Sequence, residues 1–120
     1  MEIERLAVLG AGQMGAGIAQ VAACSGYPVV MIDIEQDYLD RGLSSIERSL
    51  SKLVSKGRMS EEEAKSAISL VSTSVSRDSA SEADLVIEAI PEVLELKASA
   101  FSDLDEICKE TAILATNTSS

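Results

Sequence analysis

Leu6-Ala7-Val8-Leu9-Gly10-Ala11-Gly12-Gln13-Met14-Gly15-Ala16-Gly17-Ile18-Ala19 is the stretch that decides the architecture. Ile3 to Leu9 ends in an apolar run with the length of a short buried strand. Gly10 to Gly15 follows as Gly-x-Gly-x-x-Gly, with Gly17 close behind. From Met14 to Cys24, Ile18, Val21 and Ala22 recur at helical spacing until Ser25-Gly26-Tyr27-Pro28 stops the helix. Val29-Val30-Met31-Ile32 is a second β-branched run, closed by Asp33. Strand, glycine turn, helix and strand fit within about 30 residues, the size of a βαβ unit.

Further along, Asp37 to Lys56 carries Leu39, Leu43, Ile46, Leu50, Leu53 and Val54 on one side of a long helix. Gly57 ends it, and Ser60-Glu61-Glu62-Glu63 is a capping box that opens a helix to Ser69. Leu70 to Val75 gives a weak strand signal, and Ser79 to Ala83 a short helical turn. Leu85 to Ile90 is a clear strand, Pro91 suits the first position of a helix to Lys109, and Ala112 to Thr116 is a last strand. Alternating strands and helices indicate an α/β fold, a doubly wound parallel sheet of Rossmann type covered on both faces. The helices between the second and third strands form a helical hairpin insertion. The whole of 1–120 is expected to be one nucleotide-binding domain.

The glycine turn has a chemistry that follows from its spacing. Gly10 permits the tight turn, Gly12 lets a pyrophosphate approach the backbone, and Gly15 lets helix and strand pack closely. The amides of Ala11, Gln13 and Met14 belong to the same cradle, at a helix N-terminus that favours negative charge. Asp33 lies at the end of the second strand, where its carboxylate can accept hydrogen bonds from ribose hydroxyls and repel a 2′-phosphate. No Arg follows it in Ile34-Glu35, so NAD is favoured over NADP. The same turn also holds FAD, which remains an alternative at this point.

Composition limits the function. The chain has 120 residues, 46% hydrophobic and 25% charged, with Lys and Arg numbering 10 against 20 Asp and Glu. A net charge of -10 argues against binding nucleic acid or an anionic membrane surface. There is no apolar run long enough to span a bilayer and no signal-like start, so a cytoplasmic location is expected. Cys24 and Cys108 are read as buried free thiols. The sequence contains no histidine, which removes the commonest general base and zinc ligand, and no metal site is expected.

One segment breaks the acidic pattern. Between Arg41 and Ser60 stand Arg41, Arg48, Lys52, Lys56 and Arg58, against the single acid Glu47. Arg41, Ser45, Arg48, Ser49, Lys52 and Lys56 fall on one helix face, opposite the leucine stripe. Cations and hydroxyls on one face suit a polyanionic ligand, although a solvated face that balances charge elsewhere has the same composition.

With the motifs in view, the chain resembles the N-terminal NAD-binding domain of the L-3-hydroxyacyl-CoA dehydrogenases, including the 3-hydroxybutyryl-CoA dehydrogenases. The resemblance covers essentially all residues. It rests on Val8 to Ala19, then Glu88-Ala89-Ile90-Pro91-Glu92, then Thr116-Asn117-Thr118-Ser119-Ser120, in that order and spacing. It implies that Gly10 to Gly15 cradle the pyrophosphate and Asp33 the adenosine ribose. It implies that Ala89 and Ile90 line the cofactor site and that Glu92 and Lys97 contact NAD near its nicotinamide end. Ser49 and Lys56 match contacts to the coenzyme A moiety. Ser119 matches a serine that touches cofactor and substrate and can hydrogen-bond the reacting oxygen, and Asn117 shapes the same loop.

The resemblance further implies reversible oxidation of a 3-hydroxyacyl-CoA to a 3-oxoacyl-CoA. The histidine base, the last strand of the sheet and a helical substrate and dimerisation domain would lie beyond Ser120. The chain is therefore expected to be an incomplete domain, inactive alone, from a homodimeric parent that is either fused to an enoyl-CoA hydratase or works with one. Dehydrogenases of L-gulonate or 3-hydroxyisobutyrate, and a non-catalytic NAD-sensing module, are the alternatives.

Overall fold

A computed structural model of the chain describes residues 4–89 and the backbone of 113–116. Within these, the strands are β1 (Leu6–Leu9), β2 (Val29–Ile32), β3 (Val71–Ser74), β4 (Leu85–Glu88) and β5 (Ile113–Thr116). The helices are α1 (Gln13–Cys24), α2 (Gln36–Ser55) and α3 (Glu61–Ser69), with a 3₁₀ turn at Arg77–Ala80. The strands form one sheet in the order β3-β2-β1-β4-β5. Every pairing is parallel, with Leu9 opposite Ile32 on one side and Glu88 on the other. The α/β Rossmann-type architecture read from the sequence is the one observed, with α2 and α3 as the hairpin between β2 and β3.

Alternation along the strands divides the core in two. Leu6, Val8, Val29 and Met31 meet α1, α2 and α3 on one face, through Ala16, Ala19, Leu39, Ile46, Leu50 and Ala67. Ala7, Leu9, Ile32 and Val86 pack on the other face against Ala80 and Ala83. Buried alanines let α1 lie close to the strands, and the long leucine side of α2 fills the outer layer. The capping box forms as read. Ser60 Oγ accepts from the Glu63 amide at 3.1 Å, and Glu63 Oε1 accepts from the Ser60 amide at 3.1 Å.

Three expectations shift. The short turn starts earlier than Ser79, because Ser76 Oγ accepts the Asp78 amide at 3.2 Å and so caps the chain there. The fourth strand ends at Glu88 rather than Ile90. Cys24, expected to be buried, is an exposed free thiol. The buried face of α1 runs through Gly15, Ala16, Ala19, Ala22 and Ala23, and Cys24 falls beside it. The helix read at 91–109, with Cys108, lies outside the described residues. Among the described residues, no helix is long and apolar enough to cross a membrane.

Ser60→Ala is expected to lower unfolding free energy by about 1 kcal/mol, since it removes one half of the capping box. Urea denaturation followed by circular dichroism measures it.

Candidate functional site

The sheet changes direction at β1. The chain moves from β1 out to β2 and β3, then returns to lay β4 on the other side of β1. A crevice at the carboxyl ends of the strands opens at such a reversal, where ligands of open α/β sheets sit. Its two lips are the glycine turn, tied by the Gly10 amide to the Ile32 carbonyl at 2.7 Å, and Ala89, whose amide donates to the Leu9 carbonyl at 2.8 Å.

Three glycines of the turn are needed for three different reasons. Gly10 has φ 107°, a left-handed conformation that a side chain disfavours. Gly15 sits so tightly against the end of β1 that an added Cβ would run into the Gly10 carbonyl oxygen and lie 2.8 Å from its carbon. Gly12 is constrained by neither. Its φ of -69° is open to any residue, and among the described residues a Cβ there would meet no heavy atom within 4 Å. No described residue requires glycine at position 12, whereas a ligand lying against that backbone would.

Gly12 is also the N-cap of α1, and it offers no side chain to the first amides. The first turn of α1 contains no acid. In α3 the same positions carry a side-chain cap and Glu61, Glu62 and Glu63. The positive end of α1 is thus left uncompensated by its own helix in a chain of net charge -10. An anionic group is the natural complement.

Asp33 completes the arrangement. It is half-buried just beyond β2, with Oδ2 accepting the Ala11 amide at 3.1 Å and Oδ1 accepting the Glu35 amide at 3.1 Å. The carboxylate is therefore fastened to the turn itself, at the mouth of the crossing. Each oxygen keeps further acceptor capacity for hydroxyl groups. Gln13 and Met14 are exposed at the start of α1, and Ala11 is buried beneath the turn.

The basic face on α2 is present. Arg41, Ser45, Arg48 and Lys52 are exposed, as is Lys56, which caps the helix, while the apolar side of α2 is buried. Ser49 is half-buried, and its hydroxyl accepts from Gln20 Nε2 at 2.9 Å, which ties α2 to α1. Ile90, Glu92, Lys97, Asn117 and Ser119 lie outside the described residues.

Two residues near the mouth were not singled out from the sequence. Glu88, at the carboxyl end of β4, is the buried charged side chain among the described residues, with 1% of its surface exposed. Its signal was a carboxylate inside an apolar run. Gly42 is buried within α2 against the turn, and its signal was a glycine interrupting a helical pattern.

Comparison with known proteins agrees with this geometry. Residues 5–120 match the family model described as 3-hydroxyacyl-CoA dehydrogenase, NAD binding domain. The chain belongs to that family. A probable 3-hydroxybutyryl-CoA dehydrogenase of Bacillus subtilis is 45% identical over 120 residues, all of this chain and 42% of the relative. The solved structure of (S)-3-hydroxybutyryl-CoA dehydrogenase from Ralstonia eutropha superposes with a TM-score of 0.96 at 38% identity, over 99% of this chain and 42% of that one. A peroxisomal fatty acid beta-oxidation multifunctional protein of Arabidopsis thaliana is 37% identical over 98% of this chain and 16% of its own. The chain thus spans less than half the length of these relatives. Its cofactor is NAD, and the open backbone at Gly12 with the bare end of α1 fits a diphosphate.

Gly12→Val is expected to cost about 1 kcal/mol of stability, since valine is a poorer N-cap residue than glycine. NAD affinity should fall by about tenfold or more if a diphosphate lies against this backbone. Thermal melting and calorimetric titration of the one variant measure both.

Proposed function

We propose that this domain seats NAD for the reversible oxidation of an (S)-3-hydroxyacyl-CoA to a 3-oxoacyl-CoA. The observation that carries the thioester assignment is the cationic outer face of α2, set in an acidic chain and joined to α1 through Ser49 and Gln20. A free hydroxy acid gives no reason for such a face. Coenzyme A carries phosphates that do. The names of the relatives support the same substrate class.

In this reading NAD, when bound, would supply the hydride acceptor for the carbinol carbon. The amides at the start of α1 hold its diphosphate, and Asp33 accepts from both hydroxyls of the adenosine ribose. Its negative charge excludes the 2′-phosphate of NADP. Ala89 and Ile90 line the crevice, and Glu92 and Lys97 orient the nicotinamide end. Ser119 donates to the reacting oxygen, within the loop that Asn117 shapes. Ser49 and Lys56 grip coenzyme A. The chain has no histidine, so we assign the acceptor of the hydroxyl proton to a group outside these 120 residues. We further propose a homodimeric parent that works beside, or is fused to, an enoyl-CoA hydratase.

Calorimetry should show NAD binding that Asp33→Ala weakens by about tenfold or more, since hydrogen bonds to a charged acceptor are lost. Unchanged affinity would remove Asp33 from the site. Acetoacetyl-CoA should bind the same chain. Lys56→Glu should weaken that binding by about tenfold and leave NAD affinity as it was. If Lys56→Glu changes neither, the coenzyme A reading of α2 is wrong. Mixed with NADH and acetoacetyl-CoA, the 120 residues alone are expected to oxidise no NADH above background.

A further inference from the structure

Gly42 lies inside α2, where glycine is the worst ordinary choice for a helix. It is neither at a cap nor in a left-handed conformation. What it does is bring α2 down onto the glycine turn. A Cβ at Gly42 would stand 2.8 Å from the Ala11 carbonyl oxygen, 3.4 Å from the Ala11 Cβ and 3.5 Å from Met31 Cε. The first of these is backbone, so the contact cannot be relieved by turning a side chain. Met31 is fully buried on β2 and forms the floor below.

Ala11 is the residue through which the turn meets Asp33, its amide donating to Oδ2 at 3.1 Å. One peptide segment therefore has α2 pressed on its carbonyl side and the carboxylate on its amide side. The Ala11 segment is thus held between the backbone of α2 and the carboxylate of Asp33. A local preference broken inside an otherwise regular helix points to a demand from outside that helix.

We infer that Gly42 is a positioning residue for the dinucleotide site: it lets α2 seat Ala11 so that Asp33 is held at the ribose. The inference rests on the assignment of Asp33 proposed above. It adds a residue that touches no cofactor and acts through another.

The test uses the full 120-residue chain, NAD as the probe, and the variants Gly42→Ala, Asp33→Ala and the pair together. Gly42→Ala should raise the Kd for NAD by about threefold or more at temperatures well below its melting point. In the Asp33→Ala background the same change should add little, because the route it acts through is gone. An additive loss in both backgrounds would mean general loosening of the fold and would overturn the proposal, as would an unchanged Kd in Gly42→Ala. If Asp33→Ala itself leaves the Kd unchanged, it is the ribose assignment that fails. If Asp33→Ala weakens binding and Gly42→Ala does not, only the role of Gly42 fails. Should Gly42→Ala not fold, amide hydrogen exchange of the parent chain reads the same point. NAD should slow exchange at Ala11 and at Gly42 together, and protection at Ala11 with Gly42 unaltered would overturn the inference.

Discussion

Helix α1 starts flush against the end of β1 because Gly15 brings no side chain to the Gly10 carbonyl. Much of the site depends on that contact. It fixes the height of the helix above the strand, and with it the direction of the first amides of α1. Gly10 turns the chain at φ 107° so that the approach is possible at all. The buried alanines of α1 continue the same close packing along the sheet face. A larger residue at position 15 would lift the N-terminus away from the crevice between β1 and β4, where the dipole end is useful.

Electrostatics then sorts the surface. The first turn of α1 carries no acid, whereas that of α3 carries three, one of which closes its capping box. At the mouth stands Asp33, both of whose oxygens are restrained by backbone amides. Its two hydrogen bonds go to the amides of Ala11 and Glu35, neither of which belongs to α1. It offers acceptor oxygens at a fixed place beside them. The cations on α2 lie on the other side of that helix from its packed leucines, so the two polar surfaces are joined by a rigid element rather than by a loop.

How much of this could be read beforehand follows from how local each cause is. The βαβ unit, the capping box at Ser60 and the amphipathic α2 depend on neighbours within a few residues, and they stand where the pattern placed them. β3 gave a weak signal because it pairs with β2 at the sheet edge, and its Ser72 and Thr73 are exposed. The 3₁₀ turn was displaced because the Ser76 cap, rather than apolar spacing, sets its start. Cys24 was misjudged because thiols are usually inside, while the register of α1 puts this one outside. Gly42 and Glu88 were passed over for a different reason. Their roles are tertiary, and nothing within four residues of either tells what approaches it.

The glycines make the same distinction sharper. At 10 and 15 the demand comes from the chain's own backbone, and the structure displays the colliding atom or the dihedral angle. At 42 it also comes from the chain, but from a segment some thirty residues earlier in sequence. At 12 no atom of the described residues stands within 4 Å of an added Cβ. A sequence motif presents these positions as one pattern, although only the last of them requires something the protein does not itself contain. It is the mismatch between what the described fold tolerates at Gly12 and what stands there that points outward to a ligand, and Asp33, fastened to the neighbouring amide, sets a carboxylate beside that backbone.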